Sequence, residues 1–251
     1  MMHPREAERA QRERMAVFYE RARSPVMQDI ERRVCGCDYG ASSWTTRAEA
    51  NVLSEMLGLK PGDHLLDVGA GSGWPGLYMA SQRGCDVTLV DLPVAGLRIA
   101  SRGALLDRNV GRCSVTVADA AQLPFGLAAF DALSHSDLLC CLMDKQAALE
   151  SCRQVLRVSG RMALTVISLA RGLTALQKAR AIEAGPLFVE APMAYPELLR
   201  ETGWRVVEVQ DLSAASIALC RQFIASDNER REELIELLGQ SDFDDRQSLW
   251  H

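Results

Sequence analysis

Between Leu65 and Gly76 the chain reads LLDVGAGSGWPG, an apolar run closed by an acid and followed by glycines at positions 69, 71 and 73. Glycine accepts positive φ and lets backbone pass close to a ligand, and the free N–H groups at the start of a following helix favour anionic or polar groups. That is the chemistry of a cofactor cradle at the C-terminal edge of a strand. Two registers of the string compete. Gly71 to Gly76 formally matches G-x-G-x-x-G, with Asp91 20 residues after Gly71, the spacing of a dinucleotide site and its ribose-binding acid. The turn itself begins at Gly69, which favours G-x-G-x-G, and Asp67 stands just before it. A pyrophosphate disfavours a carboxylate there, whereas a sulfonium cofactor carrying an ammonium group favours one. Asp67 therefore points to S-adenosylmethionine rather than NAD.

His135 ends the run FDALSH and is the candidate general base, set against the plainer reading of a core histidine. The cysteines at 35, 37, 85, 113, 140, 141, 152 and 220 lie largely in apolar runs, so most are expected to be reduced and buried. Cys35-x-Cys37 and the adjacent Cys140 and Cys141 have the softness that suits a thiophilic ion. No C-x-x-C pair or histidine cluster supports zinc, and no metal is expected.

Elements that would hold these residues can be read from the alternation of short β-branched runs with helical stretches. HLLDV, CDVTLV, SVTVA, FDALSH and RMALTVIS alternate with helical patterns at Trp74 to Ser81, Val94 to Leu106 and Lys145 to Leu156. This is the signature of an α/β fold, a doubly wound, Rossmann-like, mostly parallel sheet. Residues 1–62 form an N-terminal helical cap, broken at Ser24-Pro25 and carrying a loop from Cys37 to Thr46. Residues 63–213 form the core, with a helical insertion at 170–194, a short helix over PELLRETG and a sixth strand over WRVVEVQDL. Residues 214–251 are a long helix to Leu238 and a polar tail.

Composition narrows the partners. The 251 residues are 48% hydrophobic and 24% charged, within the range of globular proteins. With 28 Lys and Arg against 33 Asp and Glu the formal charge is −5, the wrong sign for tracking a phosphate backbone, so no nucleic-acid partner is expected. The N-terminus is charged where a signal peptide is apolar, and no run approaches the roughly 20 apolar residues of a membrane span. No membrane partner and a cytoplasmic location are the expectations.

Over about residues 49–212 the sequence resembles the class I S-adenosylmethionine-dependent methyltransferases, and within them the small-molecule type 11 group. LLDVGAGSG is similar to the family's first motif, which implies that Asp67, Gly69, Ala70, Gly71 and Gly73 line the amino-acid end of the cofactor. The acid at Asp91 would take both ribose hydroxyls, with Leu92 beside the adenine. ADAAQLPF resembles the third motif, implying that Asp119 accepts from the adenine amine and Ala120 supplies a backbone N–H. FDALSHSDLL resembles the fourth, and LRVSGRMALTVI the turn before the fifth strand, with Ser159 where glycine is commoner. In the sarcosine, sterol and natural-product branches a helix and a Gly-aromatic loop cover the cofactor, which implies a closing role for Tyr19, Tyr39, Gly40 and Trp44.

The resemblance implies metal-free, in-line methyl transfer to a small-molecule acceptor, with His135 as base where the acceptor is protonated. Neither an Asn-Pro-Pro-Tyr motif nor a Pro-Cys nucleophile is present, nor an acid-rich metal site. Members normally end in a seventh, antiparallel strand beside the sixth, and no strand pattern follows residue 213 here. A truncated chain, or a slot that is empty or filled by a partner, is the expectation, and an open edge invites a homodimer. An NAD-dependent oxidoreductase and a non-catalytic cofactor-binding or thiol-sensing protein are the alternatives.

Overall fold

The computed structural model describes residues 4–40, 44–106 and 111–250. Its centre is a sheet of parallel strands β1 (His64–Val68), β2 (Asp86–Asp91), β3 (Cys113–Val117), β4 (Phe130–Ser136) and β5 (Leu156–Thr165), ordered β3-β2-β1-β4-β5. Register is set by pairs such as Asp67 with Leu89 and with Ser134, and His135 with Leu164. The central strands read as unbroken apolar runs because both faces are covered. Leu65, Val87, Leu89 and Ala132 pack on one side with Leu53, Leu57, Leu77 and Leu97. Leu66, Val68, Val90 and Leu133 pack on the other with Leu149, Leu139 and Leu198. Each leucine so buried contributes about 1.5–3 kcal/mol.

The first layer consists of α3 (Arg47–Leu57), α4 (Gly76–Arg83) and α5 (Val94–Leu106), and the second is built on α6 (Lys145–Val155) and α8 (Tyr195–Glu201). Helix α3 begins in a capping box, with Glu49 N donating to Thr46 Oγ1 at 3.2 Å and Thr46 N to Glu49 Oε2 at 2.7 Å. The N-terminal cap is α1 (Pro4–Arg21) and α2 (Pro25–Cys35), separated at Ser24-Pro25 as expected, with Ser24 capping α2. Of the loop from Cys37 to Thr46, residues 41–43 lie outside the described residues.

Several expectations are corrected. Helix α4 starts at Gly76 rather than Trp74. The residues LRVSGR belong to β5 itself, whose ladder on β4 is irregular between Phe130 and Ala132. Within 170–194 only α7 (Ala175–Ala184) is helical. Trp204 to Leu212 joins no ladder, and Val207 and Val209 are 83% and 67% exposed, so the apolar alternation there has no neighbouring strand to meet. The long C-terminal helix is two, α9 (Ser213–Glu229) and α10 (Arg231–Leu238), and the polar tail is a third, α11 (Gln240–Trp250). No described helix is long and apolar enough to cross a membrane.

Candidate functional site

Strand order reverses between β1 and β4, so the crevice at their C-terminal ends is the switch point of the sheet. The glycine loop lies there. Gly69 N and Ala70 N both donate to Val90 O, at 2.8 and 3.0 Å, which anchors the loop on β2. Gly69, Gly71 and Gly73 have φ of 72°, 52° and 98°, whereas Gly76 is the first residue of α4. The glycines with positive φ thus follow the G-x-G-x-G register.

Asp91, at the end of β2, accepts from Gly71 N at 2.7 Å and from Leu92 N at 2.8 Å. Burial pushes its carboxyl up to about 6, against the pull of those two bonds. Helix α1 lays Tyr19 over the same loop, where a Cβ on Gly71 would lie 2.5 Å from the Tyr19 hydroxyl oxygen. Burial first, then the nearby Asp91 and Cys141, hold the Tyr19 phenol well above its ordinary value.

Asp67 is 1% exposed and accepts from Gly76 N at 3.2 Å and Ser134 Oγ at 2.6 Å, bracing the start of α4 against β4. Desolvation raises it to about 7 despite those bonds. Asp119 caps a 3₁₀ turn at Ala120–Gln122 through Ala121 N at 2.9 Å, and Ala120 is buried beneath it. Tyr39 packs on Trp74 at 5.1 Å, directly after Gly73, while Trp44 packs on Trp250 of α11 at 5.0 Å. The fold therefore brings Tyr19, Gly71 and Asp91 together, and turns Trp44 toward the C-terminal helices.

At the end of β4, His135 is 1% exposed and neither ring nitrogen has a hydrogen-bond partner among the described residues. Burial pushes the imidazole down to about 4, so it is neutral at pH 7. Ser72 Oγ, Ser136 Oγ, Asp137 Oδ2 and Tyr195 Oη are likewise buried without partners. Buried polar atoms are normally hydrogen-bonded, so a group of orphans around one sheet edge fits a site that receives a ligand.

Asp137 was not singled out by sequence. It has φ 52°, donates its N–H to Thr165 O at 3.0 Å, and is raised to about 6 by burial. The available signal was an aspartate directly after a strand, a residue that tolerates the left-handed region.

A family model described as a methyltransferase domain matches residues 66–164. The O-methyltransferase resE of Aspergillus sclerotiorum is 32% identical over 196 residues, covering 74% of this chain and 72% of that protein. The chain belongs to the class I S-adenosylmethionine-dependent methyltransferases, type 11 group. Phosphoethanolamine N-methyltransferase 1 of Zea mays is 25% identical over 199 residues, 78% of this chain but 39% of that protein, so this methyltransferase spans about two fifths of that relative. A Haemonchus contortus phosphoethanolamine N-methyltransferase 2, solved with S-adenosylhomocysteine, shares the fold with a TM-score of 0.75 at 20% identity, over 94% of this chain and 55% of that one. S-adenosylmethionine is the family's cofactor, which sets the NAD register aside. The orphaned groups and the positive-φ glycine loop at the switch point fit it.

Proposed function

We propose that this methyltransferase transfers the methyl group of S-adenosylmethionine to a small-molecule acceptor by metal-free, in-line displacement. The observation that carries the reading is the Asp91 carboxylate held on Gly71 N at the switch point. Each of its oxygens keeps a lone pair beyond those given to Gly71 and Leu92, enough for two ribose hydroxyls. Leu92 flanks the adenine, Asp119 accepts from the adenine amine, and Ala120 offers its N–H. Gly69, Ala70, Gly71 and Gly73 follow the amino-acid end, with Asp67 bracing them, and Tyr39 and Trp44 belong to the aromatic side that closes over a cation. The cofactor, when bound, supplies a methyl group activated on a positively charged sulfur.

The chain's own contribution is alignment, exclusion of water and removal of the acceptor's proton. His135 takes that proton at a ring nitrogen. Its two ring nitrogens, buried and without a partner among the described residues, support the role because they stay free for an acceptor's proton. Phosphoethanolamine N-methyltransferases are named for a small acceptor and the Aspergillus relative for oxygen methylation, which supports a small molecule bearing N–H or O–H.

The test is turnover. Incubation with S-adenosylmethionine and a panel of small hydroxy and amino compounds should release S-adenosylhomocysteine in step with a methylated product. Calorimetric binding of NADH with none of S-adenosylmethionine or S-adenosylhomocysteine would overturn the reading. With an acceptor in hand, His135→Asn should keep S-adenosylhomocysteine affinity within about threefold while lowering kcat by roughly 10²–10⁴. At saturating S-adenosylmethionine, kcat of the parent should persist as pH falls to about 5 and fail as His135 protonates near 4. An unchanged kcat in the variant would remove the base role.

A further inference from the structure

The turn after β4 carries two thiols that methyl transfer does not use. It is a 3₁₀ turn, Leu139–Cys141, and it sits where the cofactor loop meets the insertion. On one side Leu138 lies against the loop, its Cδ1 2.8 Å from where a Cβ on Gly69 would stand. On the other, Phe188 N donates to Cys140 O at 3.2 Å, and Lys145 Nζ donates to Leu142 O and Phe188 O at 2.7 and 2.8 Å. The turn is thus clamped between the glycine loop and residue 188.

Cys140 is fully buried and its Sγ donates to Asp137 O at 3.0 Å. The half-buried Cys141 is its neighbour in the turn, and the two thiols act on each other's ionisation, Cys140 being held protonated and Cys141 eased toward the thiolate. The charges of Asp91, Asp137 and Lys145 act on Cys141, and Cys141 in turn acts on the Tyr19 and Tyr195 phenols. No group of three His, Cys, Asp or Glu able to hold a metal ion occurs among the described residues, so a tetrahedral ion lacks its ligand set. Two adjacent thiols on one turn instead match a soft centre that needs two sulfurs.

We propose that Cys140 and Cys141 form a two-sulfur site for thiophilic ligands of the trivalent arsenical class, and that its occupation blocks the cofactor site. The blocking part rests on the assignment of Asp91 and the glycine loop to the cofactor. An organic arsenoxide reacts without any redox reagent. Each thiol gives up its proton, two As–S bonds replace the arsenic–oxygen bonding, the oxygen leaves as water, and arsenic stays trivalent. The half-buried Cys141 sulfur bonds first and Cys140 closes the ring. Because the turn meets Gly69 through Leu138 and Cys141 lies within electrostatic reach of Asp91, a group bridging the sulfurs presses on the glycine loop on the side of the ribose-binding acid.

Phenylarsine oxide is the probe, with intact-mass analysis for stoichiometry and calorimetry with S-adenosylhomocysteine for the effect. The parent and Cys35→Ser/Cys37→Ser, which removes the other closely spaced pair, should each take one arsenical and lose at least tenfold in affinity for S-adenosylhomocysteine. Cys141→Ser, whose altered side chain is only half-buried, should take none at this site and bind S-adenosylhomocysteine alike with and without the arsenical. Prior saturation with S-adenosylhomocysteine should slow labelling of the parent. Labelling that persists in both Cys141→Ser and Cys140→Ser, or an adduct on the pair that leaves affinity unchanged, would overturn the proposal. Failure of the untreated parent to bind S-adenosylhomocysteine would instead strike the cofactor assignment, and the two failures are told apart by that titration.

Discussion

Replacing Asp91 with alanine is expected to lower affinity for S-adenosylhomocysteine by about 100- to 1,000-fold, because two hydrogen bonds to a charged acceptor are lost at roughly 1.5–3 kcal/mol each with partial compensation by water. Gly71 N and Leu92 N lose their acceptor at the same time, so the loop that should receive the cofactor also loosens. Asp91→Asn separates the two effects, since its amide keeps one oxygen for Gly71 N and presents a donor where the ribose needs an acceptor. Circular dichroism and thermal melting should leave the asparagine variant close to the parent while its affinity falls at least tenfold. Binding unchanged in both variants would mean that the cofactor lies elsewhere.

The same carboxylate predicts a pH dependence. Burial raises it to about 6 in the free protein, and in the proposed role the ribose hydroxyls favour the ionised form, so binding should expel a proton from Asp91 wherever one is present. Affinity should therefore be full above pH 7 and fall below about 6, approaching tenfold per pH unit. Calorimetry from pH 5 to pH 8 should show this slope in the parent and a flatter profile in Asp91→Asn. A rise in affinity toward low pH would contradict the assigned role.

The strands and the glycine loop were legible because their signals are local. Five apolar runs mark β1 to β5, and three glycines report the loop because only they take its φ values without strain. What stayed hidden depends on neighbours distant in sequence. Trp204 to Leu212 has the alternation of a strand, yet a strand exists only where another edge accepts it, and none does among the described residues. Tyr19 was marked as a closing aromatic, but its contact with Gly71 spans 52 positions and follows from the path of α1. The tail SDFDDRQSLW reads as polar because only Phe243 and Trp250 face inward, while its arginine and glutamine are satisfied by a buried acid that no hydrophobic period reveals.

That acid supports the second large prediction. Asp227 is fully buried and accepts from Arg246 Nε at 2.7 Å, Arg246 Nη2 at 2.9 Å, Gln247 Nε2 at 3.0 Å and Trp250 Nε1 at 3.0 Å. Asp227→Ala removes the carboxylate paired with the Arg246 guanidinium, 10% exposed, and frees four donors, a loss of about 3–5 kcal/mol. For a chain of this size that is a fall in Tm of about 10 °C, readable by calorimetry. Asp227→Asn keeps the volume and one acceptor and should fall between the variant and the parent.

The effect should also reach the cofactor loop. Trp250, held by Asp227, stacks on Phe223 with ring centroids 4.2 Å apart and meets Trp44 edge-on at 5.0 Å. The next residue, Thr45, accepts at its carbonyl from Trp74 Nε1 at 2.8 Å, and Trp74 directly follows Gly73. Releasing α11 therefore removes the packing behind Trp44 and loosens the residue that anchors the end of the loop. Asp227→Ala and Trp250→Ala should each weaken S-adenosylhomocysteine binding about three- to tenfold at a temperature where both remain folded, an energy in the range of known couplings between sites. If the contacts act in series, combining Trp250→Ala with Trp44→Ala should add little to either alone, whereas full additivity would show that the C-terminal helices stabilise the fold without reaching the loop.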